Sequence, residues 1–400
     1  MPTQKLSPSS AKLKLRLGGI SPGVFMRDYW QKKPLLVRQA FANFAAPLTG
    51  KEILTLAKRE HAESRLITRR GVGKNAAWHL QQGPLTGNNF RAAADSIWTV
   101  LVQDTQHFSH EAQQLLQCFN FIPNARLDDL MVSYAVRGGG VGPHLDSYDV
   151  FLVQGQGQRR WQISRQQNLR LKPDLPLKIL AQFKAEEDWI LNTGDMLYLP
   201  PGVAHHGVAQ TDDCVTWSIG CRAPSQQEIA DAFLDYLRDE IKLNGQYRDP
   251  DLRATTKPGA ISADMLRRVS AMLADVRKAV AAKKHVQQFF GRLLTEPKSH
   301  VYFDAPVAGL TLPAFAKCAG TRGLTLDLKT RLLYDHRHLY LNGEIKLKSA
   351  LKTANCRKAW CVLADTRTLT IAQIKTLSPA QLASFYDAYC DGLIHIIPAL

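Results

Sequence analysis

The sequence predicts a mainly β protein with α-helical additions, in which an antiparallel β core is followed by a helical bundle and a small α+β domain. Three observations lead to this fold class. Short apolar runs separated by turn-forming residues fill residues 20–224, helical periodicity begins at Ser225, and helix-like and strand-like segments are mixed from about residue 298. With 400 residues the chain has ample length for a sizeable core, and two or three domains are expected.

The β core is predicted from short apolar runs such as DVFLV, Asp149 to Val153, which is followed by a turn rich in Gln and Gly. Helices are expected to precede this core, at about residues 22–31 and 51–59.

The second stretch is predicted to be a bundle of three helices. Ser225 stands three residues before Glu228, which is the pattern of a capping box at the start of a helix. A second helix is expected to begin near Ser262, and a third to cover about residues 284–294. The apolar face of the second helix would consist of Leu266, Val269, Leu273, Val276 and Val280. This face has two interpretations, because it can belong to the core or form a homodimer contact.

The last stretch is predicted to be a small α+β domain. Two runs typical of short strands, Leu332 to Tyr334 and Leu339 to Leu341, flank the polar sequence DHRH. Ser378 and Pro379 together are typical of a helix start, with Ser as the cap and Pro in the first turn.

Charge is the unusual bulk property of the chain. The sequence has 51 Lys and Arg residues against 35 Asp and Glu residues, which gives a net charge of +16. A surface this basic favours proximity to a polyanion such as ribosomal RNA, although excess charge also serves solubility.

Cysteine usage and hydropathy indicate the compartment. The 7 cysteines include no C-x-x-C pair, so neither a disulfide framework nor a zinc knuckle is expected, and a reducing, cytoplasmic location fits. No apolar run approaches the ~18 residues that span a bilayer, so no membrane association is expected. The basic N-terminus resembles a transit peptide in its charge, but a solvated tail is the favoured interpretation.

The chemistry concentrates in two short segments, PHLD, which contains His144 and Asp146, and PPGVAH, which ends at His205. If the first segment is a strand, residues two apart share a face, so His144 and Asp146 point to the same side. A third ligand from a distant segment would complete a facial triad of two histidines and one carboxylate, which leaves positions open for a co-substrate and oxygen. His206 follows His205 directly, and ligand chemistry alone does not choose between them.

Glycines and prolines predict the turns that precede the two ligand segments. Residues 138–140 are three glycines, which predict a tight turn just before the PHLD segment. Gly194 begins a second turn, and residues 200–202, Pro-Pro-Gly, are expected to bend the next strand into the loop that holds His205. The three glycines do not indicate a phosphate loop, because the Gly-Lys-Ser/Thr ending is missing.

A co-substrate anchor follows from strand parity. In the run RRWQI, Arg159, Trp161 and Ile163 share one face, and the two apolar residues should face inward, so Arg159 does too. A buried guanidinium needs an anionic partner. That partner is either a dicarboxylate co-substrate held in bidentate geometry or a structural Asp or Glu of the core.

Taken together, these motifs resemble a known family. The runs DDLMVSYAVRGGGVGPHLDSYDVFLVQGQGQRRWQI and GDMLYLPPGVAHHGVA resemble the bacterial JmjC-type, cupin-like ribosomal oxygenases, in particular the arginine hydroxylases acting on large-subunit ribosomal protein sixteen. The segment YWQKKPLLV, Tyr29 to Val37, is also typical of that family. The resemblance covers most of residues 20–224.

The resemblance implies a function for individual residues. It makes His144, Asp146 and His205, rather than His206, the ligands of Fe(II), and it makes Arg159 the residue that grips the far carboxylate of the co-substrate 2-oxoglutarate. The implied activity is hydroxylation of a ribosomal protein, at an arginine of the large-subunit protein. Hydroxylation of a histidine or a small molecule, or a non-catalytic cupin whose winged helix binds nucleic acid, remain the alternatives.

The resemblance also implies a domain organisation. The expected order is an N-terminal tail (1–20), a double-stranded β-helix of the JmjC/cupin type (21–224), a helical dimerisation domain (225–297) and a winged-helix-like domain (298–400). The sequence departs from the family pattern at Ser147, where Gln is usual, at His206, where an acidic residue is common, and by one extra residue after the third ligand. These departures leave the metal ligands in place and put the substrate pocket in doubt.

Overall fold

The computed structural model describes residues 13–71, 76–242, 244–346 and 353–398. The chain divides into two compact units, Met1–Ala223 with His300–Tyr302, and Pro224–Ser299 with Phe303–Leu400. The first boundary lies beside Ser225, where the periodicity of the sequence changes. The separation of the second unit into a dimerisation domain and a winged-helix domain stays a prediction.

Two antiparallel sheets form the first unit. The larger has eight strands in the order β1-β9-β6-β11-β5-β4-β2-β3, and the smaller has three in the order β10-β7-β8. The strands of the larger sheet are β1 (Leu35–Val37), β2 (Ser64–Arg70), β3 (Ala77–Gln82), β4 (Ile97–Val102), β5 (Leu127–Ala135), β6 (Val150–Gln156), β9 (Met196–Leu199) and β11 (Cys214–Cys221). Those of the smaller sheet are β7 (Arg159–Ser164), β8 (Glu187–Leu191) and β10 (Ala204–Ala209). The predicted antiparallel β core is confirmed.

Strand β6 shows why the core sequence reads as continuous apolar runs. Its Phe151 and Val153 pack into the cluster formed with the helices of this unit, whereas Val150 and Leu152 pack toward the smaller sheet. Because both faces of the strand are buried, the sequence shows no alternation of polar and apolar residues there.

Within the described residues of this unit, four α-helices accompany the sheets, α1 (Pro22–Asp28), α2 (Gly50–Leu56), α3 (Gly87–Ala92) and α4 (His110–Gln117). The two predicted helices are therefore present but end earlier than expected. Helix α1 is fixed by Phe25, which is fully buried and packs against Tyr198 at a ring-centroid distance of 4.9 Å.

The second unit contains eight helices and six short strands within the part of the chain that the structure describes. The helices are α5 (Gln226–Glu240), α6 (Ala263–Met272), α7 (Ala274–Ala281), α8 (Lys283–Thr295), α9 (Leu312–Arg322), α10 (Ala354–Thr366), α11 (Ile371–Ile374) and α12 (Pro379–Cys390). The strands form two small sheets from β12 (Leu324–Leu326), β13 (Leu332–Tyr334), β14 (Leu339–Leu341), β15 (Glu344–Ile345), β16 (Thr368–Leu369) and β17 (Ile394–Ile396). The capping box of Ser225 and Glu228 and the helix start at Ser378 are confirmed.

The predicted second helix of the bundle is interrupted. It begins after the cap Ser262, as expected, but breaks at Leu273 into α6 and α7. The apolar side chains on both sides of the break are exposed, Leu266 to 60% and Val280 to 43%. Tertiary packing is the main support of protein helices, and this face lacks burial that would hold one continuous helix. No helix in the described ranges is long and apolar enough to cross a membrane.

Candidate active site

Three residues from the two ligand segments converge in the first unit. His144, Asp146 and His205 each offer a ligand atom, and these atoms lie within 4.8 Å of one another. Nε2 of His205 is 3.6 Å from Oδ2 of Asp146, and the two imidazole centroids are 4.2 Å apart. His206 is not part of this group, so the geometry distinguishes the adjacent histidines that ligand chemistry left open.

The backbone around His144 differs from the expected strand. His144 forms one isolated antiparallel bridge with His205, in which each amide donates to the other residue's carbonyl, at 3.0 and 2.7 Å. Beyond it, the carbonyl of Asp146 accepts a hydrogen bond from the amide of Gly202 at 2.8 Å. Gly142, with a φ of +81°, and Pro143 prevent a regular ladder from forming before the bridge.

His205 lies on strand β10 and not in a loop, contrary to expectation. The turn that Pro200 and Pro201 begin is completed at Gly202, whose φ is +79°, and the extended backbone resumes at Ala204. The third ligand is therefore held by the main-chain hydrogen bonds of a sheet.

The backbone also orients both imidazoles. Nδ1 of His144 lies 3.0 Å from the carbonyl of Gly142, and Nδ1 of His205 lies 3.0 Å from the carbonyl of Val203. A carbonyl can only accept, so each Nδ1 carries the proton and each Nε2 presents a lone pair. Both rings are thus arranged as metal ligands through Nε2.

Burial sets the charges at this cluster. His205 is 2% exposed, and burial, followed by the nearby charge of His144, holds the pKa of its imidazole well below the usual range. Burial raises the pKa of the Asp146 carboxyl, an effect that His144 partly offsets. The Asp146 carboxylate lies beside two imidazoles that each present Nε2, and a divalent metal ion would supply the cation that this donor set lacks.

Arg159 points inward, as strand parity predicts. It is 3% exposed, whereas Arg160 is on the outer face and donates from Nε to Asp188 at 2.8 Å. Nη2 of Arg159 lies 3.4 Å from Oγ of Ser133, and Nε is buried without a hydrogen-bond partner. No carboxylate of the described residues pairs with Arg159, so the alternative of a structural ion pair is not supported.

A single indole connects the metal cluster with this arginine. The ring of Trp161 lies 5.8 Å from the imidazole centroid of His205 and 5.8 Å from the guanidinium carbon of Arg159. Gly207 makes room for this ring, since a Cβ at that position would lie 2.6 Å from the indole. The donor set fits Fe(II), and the unpaired buried guanidinium fits the anionic end of a small dicarboxylate.

Sequence reasoning missed polar residues that surround the cluster. Burial raises the pKa of Tyr148, and the charges of Asp146 and Asp129 raise it further. Asp129 is four residues before Ser133 on β5, so the period of two that identified Arg159 could have found it. Burial, followed by the charges of His144, Arg69 and Arg160, lowers the pKa of His206 to about 4.

Comparison with known proteins decides the family. The JmjC domain family matches residues 114–229, and the ROXA-like winged-helix family matches residues 271–393. The ribosomal protein uL16 3-hydroxylase of Escherichia coli (strain K12) is 32% identical over 285 residues, which are 70% of this chain and 73% of that protein. The chain belongs to the JmjC-type ribosomal oxygenase family. The predicted family and oxygenase class are therefore confirmed.

Other ribosomal oxygenases agree with this assignment. The probable ribosomal oxygenase of Haemophilus influenzae is 39% identical over 236 residues, covering 58% of this chain and 55% of that protein. The solved structure of the Escherichia coli ribosomal oxygenase YcfD in complex with cobalt and 2-oxoglutarate matches with a TM-score of 0.78 and 27% identity, covering 96% of this chain and 99% of that one. The predicted fold, a JmjC cupin with helices and a winged helix, is confirmed.

Proposed function

We propose that this chain is an Fe(II)- and 2-oxoglutarate-dependent oxygenase that hydroxylates a side chain of a ribosomal protein, namely an arginine of the large-subunit protein uL16. The observation that carries the proposal is Arg159, a buried guanidinium without a carboxylate partner among the described residues, behind a cluster of two histidines and one aspartate. A generic metal-binding cupin has no use for that arginine.

Each residue of the site has a role in the proposal. His144 and His205 hold the metal through Nε2, and Asp146 holds it as a carboxylate. Arg159, supported by the hydroxyl of Ser133, holds the far carboxylate of 2-oxoglutarate. Fe(II) and 2-oxoglutarate, when bound, supply the oxidising power that places one oxygen atom of O₂ on a substrate C–H bond, with succinate and CO₂ as co-products.

The protein contributes orientation and a dry pocket. Trp161 and Ile163 of β7 and Leu152 of β6 are buried in one apolar cluster, and the Trp161 ring lies beside both His205 and Arg159. In such surroundings charge-assisted hydrogen bonds are stronger than in water, so the co-substrate carboxylate is held in one orientation.

The charges around Tyr148 favour an arginine side chain over a neutral substrate. Asp146 is a metal ligand in this proposal, which leaves Asp129 as the carboxylate whose charge acts most strongly on Tyr148. A substrate guanidinium can donate to a carboxylate in bidentate geometry. Three relatives named histidyl-hydroxylases make histidine the second candidate, although they match only between 18% and 45% of this chain.

The second unit supports an assembly. Leu266, Val269, Leu273 and Val280 form an exposed apolar row on α6 and α7, and burial of this row in a homodimer would remove it from water. The basic net charge of +16 suits a protein that meets ribosomal proteins near ribosomal RNA, and such a substrate supports a cytoplasmic location.

The proposal is tested with purified enzyme, Fe(II), 2-oxoglutarate and ribosomal protein uL16. The expected result is a gain of one oxygen atom in the intact mass of uL16, with succinate formed in equal amount, and fragment masses that place the oxygen on an arginine. Oxygen on a histidine would select the second candidate. An enzyme that consumes no 2-oxoglutarate would favour the non-catalytic cupin.

A further inference from the structure

The two sheets of the first unit differ in width. The smaller sheet packs on β6 and β9 of the larger sheet through one apolar cluster. It packs on β5 and β11 through a second cluster, which consists of Ala209, Ala135 and Cys214. The larger sheet continues beyond β5 through β4 and β2 to β3. These three strands extend the wall of the active site on one side.

Strand register shows which side chains of this extension face the site. Ser133, which bonds Arg159, pairs with Leu101, and Leu101 pairs with Arg65 on β2. Side chains two apart on a strand share a face, so Arg69 lies on the same side of the sheet as Arg65. Trp78 of β3 pairs with Arg69, so its side chain lies on that side too. His79 therefore lies on the opposite side.

Arg69 and Trp78 form a floor that leads into the site. The guanidinium carbon of Arg69 lies 5.7 Å from the ring of Trp78, and its Nη2 lies 3.4 Å from the carbonyl of Gly138, in the turn that precedes His144. On the same side, Nε of Arg65 is buried and has no hydrogen-bond acceptor.

The two edges of the larger sheet are built differently. Strand β1 has only 3 residues and is flanked by Pro34 and Arg38, which are features that protect an edge from pairing. Strand β3 has 6 residues, AWHLQQ, without Pro, Lys or an acidic residue, and in the described ranges it pairs with β2 alone. Its outer main-chain groups are thus available to an extended polypeptide.

We infer that β3 is the docking strand for the protein substrate, which pairs an extended segment with the free edge of β3 and passes over Arg69 and Trp78 toward the metal ligands. This inference rests on the proposed function. The occupant is a polypeptide because the edge offers a row of main-chain donors and acceptors, and because the floor beside it is continuous with the site that a substrate side chain must enter.

The first test compares Trp78→Ala and His79→Ala, which alter neighbouring side chains on opposite faces of β3. With uL16 as substrate, Trp78→Ala should raise KM at least about 10-fold, while kcat and the requirement for 2-oxoglutarate stay within about two-fold of the wild type. His79→Ala should change none of these. Arg69→Ala and the exposed Arg70→Ala form a second matched pair with the same expectation.

The second test is hydrogen exchange of the enzyme with Fe(II), 2-oxoglutarate and uL16 under anaerobic conditions, where the substrate binds without turnover. Amides within Ala77–Gln82 should gain protection, and those of Leu35–Val37 should not. Equal KM values for the two Trp78 and His79 variants, or no added protection on β3, would overturn the docking inference while leaving the proposed function in place. A wild-type enzyme that leaves uL16 unmodified would overturn both.

Discussion

At the scale of single residues, the main feature of the site is a buried arginine whose charge has no carboxylate partner among the described residues. Arg159 is buried, and although a guanidinium has five donors, its side chain makes one hydrogen bond to the described residues, to Ser133 at 3.4 Å. A buried charge without a counter-ion is very unfavourable, so this arginine is better explained by a ligand than by the stability of the fold.

Arg159→Ala is expected to raise the apparent requirement for 2-oxoglutarate at least ~10-fold, about 1.4 kcal/mol, because each lost charge-assisted hydrogen bond contributes roughly 1.5 to 3 kcal/mol. Iron affinity should be nearly unchanged, because Arg159 is not a ligand. Arg160→Ala, which removes only the outward ion pair with Asp188, should leave both quantities alone. Titration of 2-oxoglutarate against the two variants is the measurement, and equal sensitivity would refute the role of Arg159.

His144→Ala and Asp146→Ala are expected to abolish metal-dependent formation of succinate, because either substitution removes one of three ligands. His206→Ala is the matched control, since His206 adjoins His205 but lies outside the cluster, and it should retain turnover. Succinate and bound iron should be measured together. Wild-type turnover by the Asp146 variant would show that the metal is held elsewhere.

At this scale the sequence was informative wherever chemistry and strand parity agreed. The period of two placed Arg159 inside and Arg160 outside, and the spacing of His144 and Asp146 brought both to one cluster. Tyr148 was not predicted, because no local pattern marks it. Asp129 was missed although its spacing of four from Ser133 on β5 places both side chains on one face of the strand.

At the scale of elements, the ligand segment shows how glycine replaces regular structure. The predicted strand at His144 is a single bridge, and the close approach of Gly140 to Gly207 holds the segment against β10. A Cβ on Gly140 would collide with the carbonyl oxygen of Gly207, so the backbone of the segment would have to shift. Residue preferences do not encode such an approach between segments far apart in sequence.

Gly140→Ala is therefore expected to weaken iron binding at least ~10-fold and to destabilise the fold by about 1 to 3 kcal/mol, because the ligand segment must move away from β10. Gly23→Ala is the control, since its added Cβ would meet only Oγ of Ser21 at 3.8 Å. Iron titration and urea unfolding provide the two measurements. Wild-type iron affinity in Gly140→Ala would contradict the proposed importance of this contact.

The β13–β14 hairpin of the second unit predicts a pH dependence. Burial alone would raise the pKa of Asp335, but hydrogen bonds from the Tyr340 hydroxyl and from the amides of Arg337 and His338 hold it well below its usual range. A lowered folded-state pKa stabilises the fold above the unfolded value of about 3.9, and this contribution disappears as the pH falls toward the folded value. Asp335→Asn should thus lower the free energy of unfolding by about 1 to 2 kcal/mol at pH 7.

Urea unfolding of the wild type and of Asp335→Asn between pH 7 and pH 3 tests this. The difference between the two proteins should shrink as the medium becomes acidic, whereas a constant difference would indicate a steric effect of the amide. Asp365→Asn is a suitable control, because the carboxyl of Asp365 accepts only from the exposed Tyr334 among the contacts described.

At the scale of the whole molecule, the order of β core, helices and α+β region was predictable because each has its own periodicity. The pairing of strands was not, since the order β9-β6-β11-β5 joins strands that are distant in the chain. The return of His300–Tyr302 to the first unit also escaped prediction, because no change of composition marks it.

The exposed apolar row of α6 and α7 leads to the last prediction, which concerns assembly. We expect light scattering at micromolar concentration to give about twice the chain mass of 44.6 kDa, because dimerisation would bury this row. Leu266→Asp combined with Val269→Asp should shift the mass toward the monomer, and Arg267→Ala, on the polar side of α6, should not. A wild-type mass near 44.6 kDa would refute the dimer.

The bridge between His144 and His205 has a consequence for metal selection in the cell. Both imidazoles are oriented by hydrogen bonds to backbone carbonyls, and these bonds do not involve a metal ion. A rigid site with nitrogen and oxygen donors binds divalent ions in the Irving–Williams order, which puts cobalt, nickel and copper ahead of iron. Binding of iron rather than another metal is then decided by the supply of exchangeable iron. A cell exposed to excess nickel or cobalt would accumulate enzyme that is folded but inactive, because the wrong metal occupies the site.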